Sequence, residues 1–403
     1  MKKNFKVGLL YLKVNNLGDV VLHDTCKYLI DDYLKTKDVD YEIKSIDMGD
    51  KFIDTVNLSK RREKLNNLLE KKLDLYLKFH KKNDQKSIYQ ILNEWHKSMY
   101  YVFVKNRVLR KLEKVDVIVF AGGGLIKYHQ QEFYLLINEI TKFANKKHKP
   151  VLFTAVGVEG YDEKDNRCLI LKKAINRRCV KAISIRDDID TFKKYLTRDI
   201  PTTLVADSAV YTPEAYNIRK QKTNTVGLGV IRPEIFQSYL YDVDEEVLLK
   251  MFGEAAYKLK KKGYNVKFFT NGGVRDQKFI LKIKEYMKAD DSFDTMIEER
   301  PKKAEELVNN IAKYDIVVGT RLHSNIIAYS LGIPVVGIVW NTKQLLFGKI
   351  NKISKYYISK ENFNSDYLVK TILDAPNQKK LDKNKYKKTV KEFIDNQLEK
   401  LLK

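Results

Sequence analysis

Short apolar runs alternate with amphipathic helical patterns along most of the chain. Short, mainly apolar runs predict strands at residues 6–12, 41–46, 115–121, 150–158, 181–185 and 204–206, and the run at 115–121, which is rich in β-branched residues, predicts a buried strand. Apolar residues at three- and four-residue spacing predict helices at 20–33 and 169–180. Strands that alternate with helices are typical of a parallel sheet covered by helices on both faces.

A second alternating series follows a polar, proline-bearing stretch at 213–224, which we interpret as a linker. It predicts strands at 225–231, 265–270, 316–318 and 335–338, with helices at 245–262, 276–287, 304–313 and 324–331. The pattern therefore indicates an α/β protein with two Rossmann-like, doubly wound domains at 1–212 and 225–365, facing each other across a cleft.

Two segments fall outside these series. Residues 60–114 are charged and helical in period, and we interpret them as a helical insert packed on the first sheet, with an interaction surface as the alternative. Residues 366–403 also predict helices. Their last apolar face is expected to dock on the first domain, with contact to a membrane surface as the alternative; it consists of Val390, Phe393, Ile394, Leu398 and Leu401.

Length, net charge and composition limit the classes of partner that the protein is expected to bind. The chain has 403 residues, a length typical of two domains, and its net charge of +24 should attract anions such as phosphorylated substrates or acidic lipid headgroups. No nucleic-acid-binding module is present, so we expect no nucleic acid partner. Apolar runs are too short to span a membrane and no signal peptide is evident, which predicts a cytoplasmic protein. Peripheral contact with the inner face of the plasma membrane is a further hypothesis.

Cysteine and histidine spacing argues against disulfides and against a metal site. Cys26, Cys168 and Cys179 are an odd number and lack a Cys-x-x-Cys pattern. The six histidines show neither a His-x-x-x-His motif nor a cluster with carboxylates on one helix. We therefore expect no bound metal.

Candidate chemistry lies where strands end. Asn16, Gly18 and Asp19 follow the first strand, and Gly122, Gly123 and Gly124 follow the third. Gly18 would permit a left-handed backbone, and Asp19 would either cap the helix or project into the crevice. Consecutive glycines let the backbone approach a ligand, although this run lacks the Gly-x-Gly-x-x-Gly dinucleotide motif. Arg186 and Asp207 follow two later strands.

Residues 315–338 form the most informative stretch. An apolar run ends at Gly319 and Thr320, Arg321 and His323 follow at once, and a helix begins. A helix N-terminus at the carboxyl end of a parallel sheet favours anion binding, so we expect an anionic small molecule here. The alternative is that Arg321 pairs with a surface carboxylate and His323 only caps the helix.

Six segments occur in an order that resembles the polysaccharide pyruvyl transferase family, over about residues 6–345. They are residues 16–19, 121–124, 184–187, 206–208, 319–323 and 328–334. The resemblance implies a GT-B-like fold and an enzyme that transfers the pyruvyl group of phosphoenolpyruvate to a sugar as a ketal, releasing phosphate. The acceptor would be an envelope polysaccharide such as exopolysaccharide or capsule, or its lipid-linked precursor. Phosphoenolpyruvate is then the donor substrate, and no cofactor is implied.

The resemblance also assigns residues. Arg321, Leu322 and His323 match the family motif that binds phosphoenolpyruvate, and Arg186 is the candidate for a second arginine. Ketal formation needs a proton on the donor's methylene carbon, and His323 can supply it near neutral pH. A carboxylate must accept the hydroxyl proton, and the choice between Asp19 and Asp207 stays open. The remaining candidates would line the donor site; they are Asn16, Gly18, Gly122, Gly123, Gly124, Gly319 and Thr320.

Two rival functions remain. A GT-B glycosyltransferase that uses a nucleotide sugar would share the fold, but it needs an acid near the helix after Gly319, and residues 324–331 contain none. The second rival is a non-catalytic protein that binds anions or glycans. Phosphate release from phosphoenolpyruvate would distinguish them.

Overall fold

The computed structural model describes residues 4–12, 16–48, 105–128, 133–239, 242–378 and 383–403. Residues 60–104 of the predicted helical insert lie outside these ranges. At the end of the insert, residues 105–112 are helical.

The first half is built on a parallel sheet of seven described strands. In chain order they are β1 (Asn4–Tyr11), β2 (Asp40–Asp47), β3 (Val117–Phe120), β4 (Gly123–Lys127), β5 (Val151–Glu159), β6 (Val180–Ile185) and β7 (Thr202–Leu204). They are arranged β2-β1-β3-β5-β6-β7, and β4 continues along the edge of β5 after β3 stops. Every residue of β3 and β5 is buried, as expected for central parallel strands.

Helices cover both faces of this sheet. They are α1 (Leu17–Leu34), α2 (Phe133–Lys146), α3 (Asn166–Ile175), α4 (Ile189–Lys193) and, after a 3₁₀ turn at Ser208–Tyr211, α5 (Thr212–Ala215). The helix predicted at 169–180 was wrong at both ends. It begins earlier because the Asp165 side chain caps it, accepting a hydrogen bond from the Arg167 N–H, and it ends at Ile175 because Val180 already pairs in β6.

The second half repeats the same topology. Its parallel sheet consists of β8 (Thr225–Gly229), β9 (Asn265–Phe269), β10 (Ile316–Gly319), β11 (Val335–Ile338) and β12 (Tyr357–Ile358), in the order β12-β11-β10-β8-β9. Its helices are α6 (Glu234–Ser238), α7 (Glu245–Lys261), α8 (Val274–Tyr286), α9 (Ala304–Ala312), α10 (Leu322–Ser330), α11 (Thr342–Ile350) and α12 (Ser365–Asp374). The prediction of two Rossmann-like, doubly wound halves is confirmed, while the exact domain bounds stay a prediction.

The last helix, α13 (Lys383–Leu402), returns to the first half. Val390, Phe393, Ile394 and Leu398 are buried, and Leu401 is half-buried against the same core. The helix packs on α1, where Lys391 pairs with Asp32 at 2.7 Å. Its apolar face is therefore covered by protein. This agrees with the expected docking on the first domain and not with contact between this face and a membrane. None of the described helices combines the length and the apolar character needed to cross a bilayer.

Both sheets reverse their strand order at one point, between β1 and β3 in the first half and between β8 and β10 in the second. Ligands of open α/β sheets bind beyond the carboxyl ends of the strands at such points. The two points face each other, because α1 packs against α9 and α10 and the Leu17 N–H donates to the Asn271 carbonyl at 2.9 Å. The fold therefore creates one cleft between the two halves.

Candidate active site

The turn after β1 aims Asp19 at the second half. Asn16 is the N-cap of α1, accepting a hydrogen bond from the Gly18 N–H at 3.3 Å, and its amide donates to Asp19 at 2.9 Å. Of the two alternatives given for Asp19, the capping one is therefore wrong, because Asn16 fills the N-cap position and Asp19 lies in the first turn. Asn16 also receives a hydrogen bond from the Asn271 amide at 3.4 Å, across the cleft.

Gly18 is required for close packing rather than for a left-handed backbone. It is part of α1 and is absent from the residues with positive φ. A Cβ atom at this position would lie 2.4 Å from the Cβ of His323, much closer than such atoms approach in proteins. Gly18 therefore allows the N-terminus of α1 to touch the residue that the sequence marked as the acid.

The glycines after β3 form a kink rather than an open loop. Gly122 and Gly123 have φ of +87° and +85°, a region that favours glycine, and Gly123 then begins β4. Gly124 has another function, because a Cβ there would lie 2.4 Å from the Nζ of Lys343 in the second half. The glycine run thus lets a lysine from across the cleft reach the first sheet.

The turn after β10 presents Arg321 and His323. Helix α10 begins at Leu322, two residues before the predicted start, so Arg321 is the N-cap residue and His323 lies in the first turn. Gly319 and Thr320 support this turn. The Thr320 hydroxyl donates to the Gly229 carbonyl at 2.7 Å, and Asn325 packs over Gly319, where a Cβ would lie 2.1 Å from its Oδ1. Leu322 is half-buried.

Arg186, Asp207, His323 and Asp19 come together at the centre of the cleft. Arg186 forms a buried ion pair with Asp207, and its Nη1 lies 3.1 Å from His323 Nε2. The other ring nitrogen of His323, Nδ1, lies 3.4 Å from the Asp19 carboxylate. Arg186, Asp207 and His323 are 6%, 2% and 5% exposed, so these charges interact away from bulk water. Four residues chosen from strand ends of both halves therefore meet at one point.

This geometry fixes the protonation of His323. A guanidinium can only donate, so His323 Nε2 must accept from Arg186, and the ring proton is on Nδ1, facing Asp19. Burial lowers the pKa of His323, although the nearby Asp19 and Asp207 act in the opposite direction. The resting side chain is thus a neutral imidazole.

Arg321 pairs with a buried carboxylate rather than with a surface one. Its Nη2 donates to Asp276 at 2.6 Å, and Asp276 is fully buried in the first turn of α8. Asp276 also accepts from Arg232 Nη1 at 3.0 Å. Two guanidinium groups therefore share one carboxylate, and both keep part of their surface open, with side chains 17% and 25% exposed. Arg232 Nε also lies 4.0 Å from the Glu234 carboxylate, whose side chain is 63% exposed. The open surface of both guanidinium groups is available to an anion.

Sequence reasoning missed several residues at this cleft. Asp276 follows Gly272 and Gly273 after β9, and Glu159 ends β5, so both obey the strand-end rule that identified Arg186 and Asp207. The sequence did not distinguish Lys127 and Lys343 from other lysines, because lysine is abundant throughout the chain. Within the described ranges, no group of three or more His, Cys, Asp or Glu side chains is placed to hold a metal ion.

Comparisons with known proteins agree with this architecture. A family model described as polysaccharide pyruvyl transferase matches residues 16–342. The solved structure of UDP-GlcNAc 2-epimerase from Methanocaldococcus jannaschii has a TM-score of 0.58 at 11% identity and covers 98% of this chain and 100% of its own. None of the curated proteins matches the sequence.

Two further epimerase structures are similar. The UDP-GlcNAc 2-epimerase from Neisseria meningitidis bound to UDP-GlcNAc has a TM-score of 0.51 at 12% identity, covering 98% of this chain and 100% of its own. The UDP-N-acetylglucosamine 2-epimerase from Rickettsia bellii has a TM-score of 0.51 at 10% identity, and the match covers 99% of this chain and 96% of that enzyme. Such identities support the fold alone, and these GT-B enzymes confirm the GT-B-like prediction.

Proposed function

Because the chain belongs to the polysaccharide pyruvyl transferase family, a family of transferases, we propose that it moves the pyruvyl group of phosphoenolpyruvate onto a sugar of an envelope polysaccharide or of its lipid-linked precursor. The observation that carries the proposal is the meeting of Arg186, His323 and Asp19 between the two halves. They offer a cation, a proton carrier and a carboxylate within reach of one ligand.

The arginines suit the donor, which carries a carboxylate and a phosphate. Guanidinium groups bind either anion through paired, charge-assisted hydrogen bonds. Arg321 and Arg232 share Asp276, so together they can accept an anion without losing that partner. We therefore assign the binding of one anionic group of the donor to this pair, and we place the reacting carbon near His323.

His323 becomes an acid only when the donor is bound. Its Nε2 is unprotonated in the resting site, and the negative charges of the donor would raise the pKa of the imidazole so that it takes up a proton. That proton goes to the methylene carbon of phosphoenolpyruvate, which leaves C2 electron-deficient. Attack by a sugar hydroxyl then forms the first C–O bond.

Asp19 is the better of the two candidate bases. Asp207 is 2% exposed and is committed to Arg186 and to the Ala209 N–H at 2.8 Å. The Asp19 side chain is 20% exposed and faces the cleft. It would take the proton of the first hydroxyl. The second hydroxyl then attacks C2 as the bond to phosphate breaks, and its proton leaves with the phosphate.

A phosphate-release assay tests the function. Purified protein is incubated with phosphoenolpyruvate and a panel of free and lipid-linked saccharides, and with UDP-GlcNAc in parallel. We expect phosphate release that requires both phosphoenolpyruvate and an acceptor. Binding of phosphoenolpyruvate without release across the panel would favour a non-catalytic protein. Consumption of the nucleotide sugar without phosphoenolpyruvate would favour a glycosyltransferase, although the first turn of α10 lacks an acidic residue.

A further inference from the structure

A second charged cluster lies in the cleft, outside the residues used above. It joins Lys127 at the end of β4, Glu159 at the end of β5 and Lys343 in the first turn of α11. Lys343 crosses from the second half and pairs with Glu159, and Lys127 Nζ lies 4.0 Å from the same carboxylate. The three side chains are 5%, 8% and 11% exposed. This Lys127–Glu159–Lys343 cluster therefore spans both halves.

The cluster carries more positive than negative charge. Two ammonium groups share one carboxylate, and burying a charge without a full partner is costly. Burial lowers the pKa of Lys127 to about 8, Lys343 acts in the same direction, and the carboxylates of Glu159 and Asp19 oppose them. An ion pair that served only to join the halves would need one lysine. The second lysine is explained if an anion joins the cluster during function.

The cluster borders the candidate active site. Tyr239 interacts with both Glu159 and Arg321, and its ring packs edge-on against Trp340 with centroids 4.9 Å apart. The positive charge of Lys343 also acts to lower the pKa of His323 and of Asp187, although burial raises the pKa of Asp187 overall. Gly124 leaves the space that the ammonium group of Lys343 occupies. A ligand held by Arg321 and His323 would thus have its far end near the lysines.

We propose that Lys127 and Lys343 form a phosphate-binding subsite, in which Glu159 is the resident counter-ion that a ligand phosphate joins. The inference rests on the proposed function for the source of the phosphate, which is either the donor or the lipid-linked acceptor. Both supply the same chemistry, phosphate oxygens that accept charge-assisted hydrogen bonds from ammonium groups. Glu159 then competes with the ligand for the two lysines.

Binding of inorganic phosphate to the full chain tests the subsite, measured by isothermal titration calorimetry. Lys343→Met and Lys127→Met should each weaken binding by about tenfold, as expected for loss of one hydrogen bond to a charged group. Glu159→Gln should strengthen binding, because the competing charge is removed. Lys349→Met, which removes an exposed lysine from the same helix, is the matched control and should bind as the wild type does.

A purely structural ion pair gives a different result. Lys343→Met and Glu159→Gln would then lower the melting temperature and leave phosphate affinity equal to that of the Lys349→Met control, which would overturn the proposal. If Lys343→Met does not fold, Lys127→Met decides, since Glu159 then keeps its closer partner, Lys343. Unchanged phosphate affinity in that variant also overturns the proposal.

Binding of three further ligands, phosphoenolpyruvate, pyruvate and inorganic pyrophosphate, identifies the source of the phosphate. If Lys343→Met weakens phosphoenolpyruvate but not pyruvate, the lysines hold the donor's phosphate. If it weakens inorganic pyrophosphate but not phosphoenolpyruvate, they hold phosphates of the acceptor. Both results support the subsite. Because these are binding measurements without turnover, the absence of pyruvyl transfer would reject the proposed function and leave the subsite intact.

Discussion

At His323, the position of one proton determines the first step of the proposed reaction. Arg186 donates to Nε2, so this nitrogen holds no proton in the free protein, and burial lowers the pKa of the ring below its ordinary value. An acid in that state cannot act at neutral pH. Donor binding must therefore bring a proton into the site, and this uptake is measurable without any acceptor.

We predict that phosphoenolpyruvate binding at pH 7 takes up protons at His323. The ordinary pKa of histidine is about 6.5, and the value in the free protein is lower, so the resting ring is neutral at this pH. The negative donor raises the pKa and the ring gains a proton. Titration calorimetry in buffers of different ionisation enthalpy measures the uptake. His323→Gln should lack it, and equal uptake in both proteins would contradict the role.

The second prediction concerns turnover. His323→Ala should reduce phosphate release by at least about a hundredfold, the usual contribution of a positioned proton donor. The folded state should persist, because the residue lies at a helix N-terminus rather than in the apolar core. His148→Asn, at an exposed histidine with positive φ that asparagine tolerates, is the control. Retained activity in His323→Ala would remove His323 from the mechanism.

At the scale of elements, the site depends on two helix N-termini that touch. Helix α1 approaches α10 where Gly18 faces His323, and the contact is possible because glycine has no side chain. Alanine normally stabilises a helix relative to glycine by about 1 kcal/mol. Here the added methyl group would overlap His323. The substitution should therefore raise the helix propensity of α1 and lower the activity.

We therefore predict that Gly18→Ala impairs catalysis while the protein stays folded. The new Cβ would lie 2.4 Å from His323 Cβ and 2.9 Å from Nδ1. Because side-chain rotation cannot move the His323 Cβ, the N-termini of α1 and α10 must move apart, which changes the distance between the imidazole and Asp19. Phosphate release and thermal melting are measured together. Lys27→Ala, on the exposed face of the same helix, should behave as the wild type does. Wild-type turnover in Gly18→Ala would show that the contact is not needed.

Elements were predictable where one physical rule dominates. Central strands such as β3 and β5 are buried on both faces, so their apolar runs identify them directly. Helix starts were less accurate, because caps decide them. Asn16 rather than Asp19 caps α1, and α10 begins directly after Arg321 without a side-chain cap. The 3.6-residue period of apolar positions contains little information about which residue caps a helix or begins it.

The site was predictable at the strand ends but not in its pairings. The proximity of Arg186, Asp207 and His323 was predictable because parallel strands bring their carboxyl ends together, while their roles stay predictions. The partner of Arg321 was not found, since Asp276 lies 45 positions away, in a helical pattern where a carboxylate is ordinary. The Lys127–Glu159–Lys343 cluster joins both halves. It could not be predicted from the sequence, because the pairing depends on how the two halves pack against each other.

For the whole molecule, the net charge of +24 raises the question of membrane contact. The apolar face of α13 is buried against the first half, so this helix is not available to insert into lipid. If a membrane attracts this protein through its net charge rather than through α13, the attraction should depend on salt. Such attraction acts over the Debye length, which falls from about 30 Å at 0.01 M salt to about 3 Å at 1 M.

We predict that the protein floats with anionic vesicles at low salt and is released at high salt. Each lysine or arginine near an anionic surface contributes about 1 kcal/mol, so a few basic side chains facing the membrane would suffice. Vesicles of neutral lipid are the control and should bind little protein at either salt concentration. Flotation that persists at high salt would indicate apolar insertion and contradict the electrostatic account. Absence of binding at low salt would exclude direct attraction to lipid, and a lipid-linked acceptor would then have to be recognised through its sugar and phosphate groups alone.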